Sequence, residues 1–327
     1  MPDLEFREAA EFREAAAALG RAKRVVVFTG AGISAESGIP TFRDALTGLW
    51  ARFDAQALAT PEAFRADPAL VWGWYEWRRR AVLRVRPNPG HVAVAAIEAR
   101  VPGSVVVTQN VDDLHERAGS AAPIHLHGSL FGPRCSACGE PATPPDDPGG
   151  GLAAPQPDGE LATPQPDGEL AAPQPDGGVA APQHGTGGQP DAPRHDLGGR
   201  LVGGEEGPIA PPVCSVCAGL VRPGVVWFGE ALPEAAFEAA VDAAANCDLF
   251  LTVGTSGLVY PAAEIPQVAA RFGATVVQVN PQSTPLDAVA HLNLRGPSAQ
   301  ILPSLVTAAW DTADGSATGR GAGGQVD

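Results

Sequence analysis

At 327 residues, 44% of them hydrophobic, the chain is long enough for one large domain or two small ones around a sizeable core. Its net charge of −15 argues against a general nucleic-acid-binding surface, and no apolar run reaches membrane-spanning length. Five cysteines suggest a reducing, cytoplasmic setting in which thiols serve something other than disulfides. The opening stretch, MPDLEFREAAEF, is acidic and amphipathic and does not read as a signal peptide.

Residues 4–19 read as a helix with Gly20 as its stop signal. Val25 to Phe28 then form an apolar, mostly β-branched run that reads as a buried parallel strand. Gly30-Ala31-Gly32-Ile33-Ser34-Ala35 follows as a G-x-G-x-x-A turn, in which glycines let the backbone turn sharply and approach a pyrophosphate. The second strand and ribose-binding acid of an ordinary dinucleotide fold are missing; polar SGIPTFR (37–43) takes their place. From Asp44 to Arg86 the pattern is helical: Thr60-Pro61-Glu62 gives an N-cap with proline in the first turn, and residues 69–84 form a Trp- and Arg-rich helix. A helix over 91–100 and strands over 105–108 and 124–126 come next. Further strands are expected over 225–228, 249–253 and 275–279, with helices over 234–245, 261–272 and 299–309. This alternation predicts an α/β fold with a Rossmann-like parallel sheet. Ligands in such sheets lie beyond the strands' carboxyl ends, where five polar clusters fall: 30–43, 109–112, His127, 254–256 and Asn280.

Residues 140–213 differ in kind. They carry twelve acids against two arginines, no Phe, Trp or Tyr, and a nine-residue repeat that begins LAAPQPDGE at Leu152. Without bulky side chains such a segment cannot offset the entropy of ordering, so it reads as a disordered insertion; 311–327 reads as a similar tail. The insertion is flanked by two C-x-x-C pairs, Cys135/Cys138 and Cys214/Cys217, with 75 residues between them. Four thiolates in two such pairs suit a structural, tetrahedral Zn²⁺. Lengthening the connecting loop to this extent costs only about 1 kcal/mol, small beside apparent zinc binding free energies of roughly 10–16 kcal/mol. The rivals are a redox pair or two disulfides. Cys247 reads as a small buried apolar residue.

GAGISAESGIPTFR (30–43), TQNVDDLHERAG (108–119), HGS (127–129), the paired C-x-x-C, FGE (228–230), GTS (254–256) and VNP (279–281) occur in one order. Together they resemble the sirtuins, NAD-dependent protein lysine deacylases, over residues 21–310 apart from the insertion. The resemblance implies an NAD domain built from 1–43, 88–130 and 225–310, a helical module over 44–87, and a zinc module over 131–224. It implies that Gly30, Ala31, Gly32, Ala35, Glu36, Thr41, Phe42, Arg43 and Trp50 hold NAD, with Gln109, Asn110 and Asp112 at its nicotinamide ribose. Gly254, Thr255, Ser256, Asn280, Gln282 and Ser298 would take the adenosine half. Val226, Phe228, Gly229, Glu230, Gly257 and Leu258 would pair with the substrate backbone as an added strand. His127 would be the general base: the acyl-lysine oxygen attacks the nicotinamide ribose, nicotinamide leaves, and a base must then activate a ribose hydroxyl. Asn110 and Asp112 would share the catalytic site. Gln282, Pro297-Ser298 and Asp113 depart from the family's usual residues.

Tyr75-Glu76-Trp77-Arg78 places a phenol and a guanidinium on one helix face, and Arg binds carboxylates through two parallel hydrogen bonds. Tyr-x-x-Arg here resembles the sirtuin subgroup that removes succinyl and malonyl groups. Arg79 and Arg80 read as solvated. The leading expectation is an NAD-dependent deacylase acting on succinyl-, malonyl- and acetyl-lysines of proteins, without direct nucleic-acid or membrane binding. The alternatives are a plain deacetylase, an ADP-ribosyltransferase, or a weakly active NAD or ADP-ribose sensor.

Overall fold

The computed structural model describes residues 2–41, 50, 53–143 and 207–314. Phe42, Arg43, the nine-residue repeats and the tail from 315 onward lie outside the described residues. No described helix is long and apolar enough to cross a membrane.

Six parallel strands form the main sheet: β1 (Val25–Thr29), β2 (Val105–Thr108), β3 (Ile124–His125), β6 (Leu249–Val253), β7 (Thr275–Val279) and β8 (Leu292–Leu294). Their order is β3-β2-β1-β6-β7-β8. All five residues of β1 are buried, as expected of a strand covered on both faces. Val25 and Val27 point into a core shared with α1 (Pro2–Arg21), α6 (Pro89–Arg100) and α10 (Ser298–Asp314), through Leu19, Ile97 and Leu305. Val26 and Phe28 point the other way, onto Ala240 of α8 (Glu234–Asn246) and Ile265 of α9 (Ile265–Arg271). The period of two thus sorts one apolar run into two cores. Short β8 and the 3-10 start of the α9 region (Ala262–Glu264) escape the sequence reading.

The helical module consists of α3 (Ala55–Leu58), α4 (Pro61–Ala66) and α5 (Pro68–Arg84). Its starts are chemically marked. Thr60 accepts a hydrogen bond from the Ala63 N–H and Asp67 from the Leu70 N–H, each followed by proline in the first turn. A core of Phe64, Val71, Trp74 and Tyr75 joins this module to Leu130, Val225 and Trp227. These come from or adjoin an antiparallel pair, β4 (Gly128–Cys135) and β5 (Val221–Val225).

Three readings are corrected. The strand expected over 225–228 is instead β5, over 221–225, in this separate two-stranded sheet. Arg79 is buried rather than solvated, because Glu76 one turn back accepts from its Nε and Nη2 at 2.8–3.1 Å; a buried guanidinium requires such a partner. The ends of the 140–213 stretch belong to the folded unit. Cys135 N–H donates to the Glu140 carbonyl, and Ile209 N–H to the Ala69 carbonyl on α5. Gly73 permits that crossing, since a Cβ there would stand 2.6 Å from the Gly207 oxygen.

Candidate active site

The strand order reverses between β1 and β6, and a nucleotide crevice opens at such a reversal. There the turn after β1 meets the turn after β6 backbone to backbone. Gly30 N–H donates to the Val253 carbonyl and Gly32 N–H to the Gly254 carbonyl, at 3.0 and 2.8 Å. A Cβ on Gly32 would lie 2.6 Å from the Gly254 oxygen, and Gly254 itself has φ +59°. Only glycine permits both the approach and the conformation.

The other polar strand ends converge on this turn. Gln109 Nε2 donates to Thr255 Oγ1 at 2.8 Å, and Asn280 Nδ2 to the Thr255 carbonyl at 2.9 Å. Ser34, on α2 (Ala31–Ala35), is the hub: its hydroxyl donates to Asp112 Oδ2 at 2.9 Å and accepts from Asn110 Nδ2 at 3.0 Å. Behind Ser34 stands His91 Nε2 at 3.4 Å, and the ring packs edge-on against His115. Asn110 Oδ1 is buried with no partner among the described residues. An acceptor left open in a buried floor suits a ligand hydroxyl. Burial raises the Asp112 pKa, opposed by the Leu114 N–H and the Ser34 hydroxyl.

His127 sits between β3 and β4. Its Nδ1 lies 2.9 Å from the Gln109 carbonyl oxygen, which only accepts, so Nδ1 carries the proton. Nε2 therefore holds the lone pair of the neutral ring. Burial lowers the His127 pKa, partly offset by the Gln109 carbonyl. The ring is thus neutral and basic at pH 7.

On α5, Tyr75 packs in the helical-module core, and Arg78 lies near enough to Asp112 to feel its charge. Burial lowers the Arg78 pKa, while Tyr75 and Asp112 raise it. Burial raises that of Tyr75 well above the ordinary range, against the pull of Arg78. The phenol is a neutral donor beside a guanidinium that stacks 5.2 Å from the Trp74 ring centre. Val226 N–H donates to the His127 carbonyl, and the exposed apolar side chains of Phe228 and Leu258 flank turns at Gly229 and Gly257, both with positive φ.

Several expected site residues have protein partners of their own. Glu230 accepts both Arg222 Nη atoms, at 2.6 and 2.8 Å, and the Trp227 N–H; the carboxylate braces its own turn. Trp50 packs in the helical-module core against Phe53 and Trp77. Glu36 caps α10 by accepting from Ser298 Oγ and the Ala299 N–H. Gln282 N–H donates to Asn280 Oδ1 and its carbonyl accepts from Arg295. Ala31, Thr41 and Ser256 are half-buried and Ala35 is exposed.

The sulfur atoms of Cys135, Cys138, Cys214 and Cys217 lie within 4.8 Å of one another. Tetrahedral Zn–S bonds of about 2.3 Å place sulfurs roughly 3.8 Å apart; Cys138–Cys214 is 3.8 Å and Cys135–Cys217 3.4 Å. The Ala137 and Val216 N–H groups donate to Cys135 and Cys214 sulfur. The amides of Cys138 and Ala137 hold the Cys135 thiol down to about 6. The Glu140 amide also favours a Cys138 thiolate, but Cys217, Cys135 and Cys214 crowd it and push it up to about 12. A bound dication removes that conflict. The donor set fits zinc, and neither pair is a disulfide.

Comparison with known proteins decides the lineage. The model of the Sir2 family matches residues 30–261. The chain belongs to the Sir2 family. A relative from Methylococcus capsulatus, named "NAD-dependent protein deacylase", is 51% identical over 295 residues, covering 90% of this chain and 96% of that protein. A solved "Sir2 homolog-NAD complex" aligns with TM-score 0.69 and 35% identity, over 91% of this chain and 94% of the other. The structure of "Sir2Af2 bound to a myristoylated histone peptide" aligns at TM-score 0.61 and 27% identity, over 94% and 99%.

Within this Sir2 site, sequence reasoning missed Ser34, His91 and His115. Ser34 lies inside a glycine motif read for its backbone, and His91 was only the first residue of a helix. Asn88 and His91 in fact form a capping box, with the Asn88 N–H donating to His91 Nδ1. Burial lowers His91 to about 4 and His115 to about 3. Both are neutral when folded, so the unfolded chain binds more protons between pH 6.5 and these values. Stability therefore falls as pH drops below 6.5, by a few kcal/mol in all. Urea unfolding from pH 7 to 4 measures this, and His91→Gln is expected to flatten the fall. An equal pH slope in both proteins would contradict it.

Proposed function

We propose that this Sir2-family chain is an NAD-dependent protein lysine deacylase, and that it removes succinyl and malonyl groups at least as readily as acetyl. The observation that carries the activity is the fixed tautomer of His127. Its Nδ1 is tied to the Gln109 carbonyl, and the Gln109 side chain in turn reaches Thr255 on the turn after β6, so the basic Nε2 is the free ring atom. Identity of 51% to a protein named NAD-dependent protein deacylase supports the same reading.

In this reading the Gly30–Gly32 backbone holds the NAD pyrophosphate. Thr255, Ser256 and Asn280 take the adenosine side; Gln109, Asn110 and Asp112 take the nicotinamide ribose. Bound NAD supplies an electrophilic ribose carbon and a nicotinamide leaving group. Asn110 Oδ1 accepts from a ribose hydroxyl, and His127 Nε2 takes the proton from the hydroxyl that must become a nucleophile. Phe228, Gly229, Gly257 and Leu258 pair with the backbone of an acylated peptide. Zinc holds the β4–β5 module and takes no part in the chemistry, because four thiolates close its coordination shell.

The acyl preference rests on Tyr75 and Arg78. A phenol donor and a guanidinium suit the free carboxylate of a succinyl or malonyl group. Arg78→Met is expected to lower kcat/KM on a succinyl-lysine peptide by about 10–100-fold, the loss of a hydrogen bond to a charged group, and to leave deacetylation nearly unchanged. The assay follows NAD-dependent release of nicotinamide and acyl transfer from matched peptides. A wild-type protein that removes acetyl but not succinyl groups defeats the specificity claim. Transfer of ADP-ribose to protein without deacylation would defeat the activity itself.

A further inference from the structure

His125 ends β3 with both ring nitrogens committed. Nδ1 lies 3.0 Å from the Asn110 carbonyl oxygen and Nε2 2.7 Å from Glu116 Oε1. A carbonyl and a carboxylate both accept, and a neutral imidazole has only one N–H. The ring satisfies both partners only as the doubly protonated cation. His127, two residues on, meets one acceptor, the Gln109 carbonyl. Two histidines thus grip the carbonyls of consecutive residues, one with a spare lone pair and one with none.

We propose that His125 is a positioning residue that works as an imidazolium: tethered by Glu116, it holds the Asn110 peptide and thereby aims the Asn110 side chain. That side chain donates to Ser34 at 3.0 Å, and its buried Oδ1 has no partner among the described residues. The inference deepens the deacylase reading and rests on it. The surroundings are charge-consistent. Glu116 faces the ring from α7 (Leu114–Arg117), Asp112 from the loop after β2, and His115, also on α7, is neutral. β2 presents Thr108 opposite His125, and α8 meets β3 through the apolar cluster of Ile124, Ala240 and Ala244. Burial lowers the His125 pKa, but Glu116, the Asn110 carbonyl and Asp112 outweigh it and leave it raised. The Glu116 pKa is lowered: burial raises it, and His125 more than reverses that.

The sign follows. Above the His125 pKa the ring keeps one proton, and either Glu116 or the Asn110 carbonyl faces a lone pair. Turnover should then fall about tenfold, the loss of one charged hydrogen bond. The opposite, acid limb belongs to His127, whose pKa is lowered.

The test uses full-length protein with labelled histidine rings. In an NMR titration without NAD, one ring is expected to titrate above pH 6.5. It should vanish in His125→Asn and move to lower pH in Glu116→Gln. In the deacylase assay, the alkaline limb should move down with Glu116→Gln. It should disappear in His125→Asn, whose amide still donates to Asn110 but cannot titrate, with activity below the limb within about tenfold of wild type. A His125 ring titrating at or below 6.5, or an alkaline limb unmoved by Glu116→Gln, overturns the proposal. Wild-type protein inactive on every acyl peptide would defeat the deacylase reading instead, while the ring titration would still report on His125. If His125→Asn fails to fold, the wild-type titration and Glu116→Gln decide.

Discussion

His127→Ala is expected to lower acyl-lysine turnover by about 10²–10⁴-fold, the range for losing a positioned general base. The Gln109 carbonyl holds Nδ1–H, so the proton-accepting atom is Nε2. Burial lowers the pKa, so the ring stays unprotonated through neutral pH. The wild-type rate should accordingly fall on the acid side as pH drops through that lowered value, and the variant should lose this limb. NAD affinity, measured by calorimetry, should change little, because the glycine turn and the Ser34 hub are untouched. A variant with wild-type kcat would remove His127 from the chemistry. One that no longer binds NAD would mean that the substitution disturbed the Gln109 loop.

Removal of the metal is expected to have the largest effect on structure. Cys214→Ala should abolish the binding of one equivalent of zinc, measured by elemental analysis. Zinc binding by a four-thiolate site is worth roughly 10–16 kcal/mol at neutral pH, and in small modules that is folding free energy. The loss does not stay local. Cys135 ends β4, and β4 and β5 bring Leu130 and Val225 into the core that holds Tyr75 and Trp74. Val226 anchors the His127 carbonyl. Circular dichroism should therefore show early melting of part of the chain, and deacylation should fail with it. Cys247→Ala is the control: Cys247 donates to the Ala244 carbonyl far from the cluster, so zinc content should be unchanged. A metal-free Cys214→Ala protein with full activity and a wild-type Tm would refute the coupling.

Much of this was legible from local pattern. The β-branched run at Val25, the glycine turn and the two C-x-x-C pairs announce themselves, because strand, turn and metal chemistry each impose a residue type at a spacing. Other features depend on partners distant in sequence. Arg79 reads as a solvated helix arginine because a one-turn pattern does not reveal what packs on the helix; only burial makes Glu76 its obligatory partner. That the Glu230 carboxylate accepts from Arg222 and from the Trp227 N–H is likewise visible only in the folded chain.

By itself, then, the sequence determined the parallel α/β architecture, the glycine turn and the two C-x-x-C pairs, since each is written in short local patterns, and it singled out His127 by resemblance. Tertiary structure decided which proton His127 carries, that His125 meets two acceptors, and that Ser34 ties Asn110 to Asp112. These are facts about hydrogen-bond partners 9 to 78 residues apart in the chain. Which atom donates is settled only when folding brings the acceptor alongside.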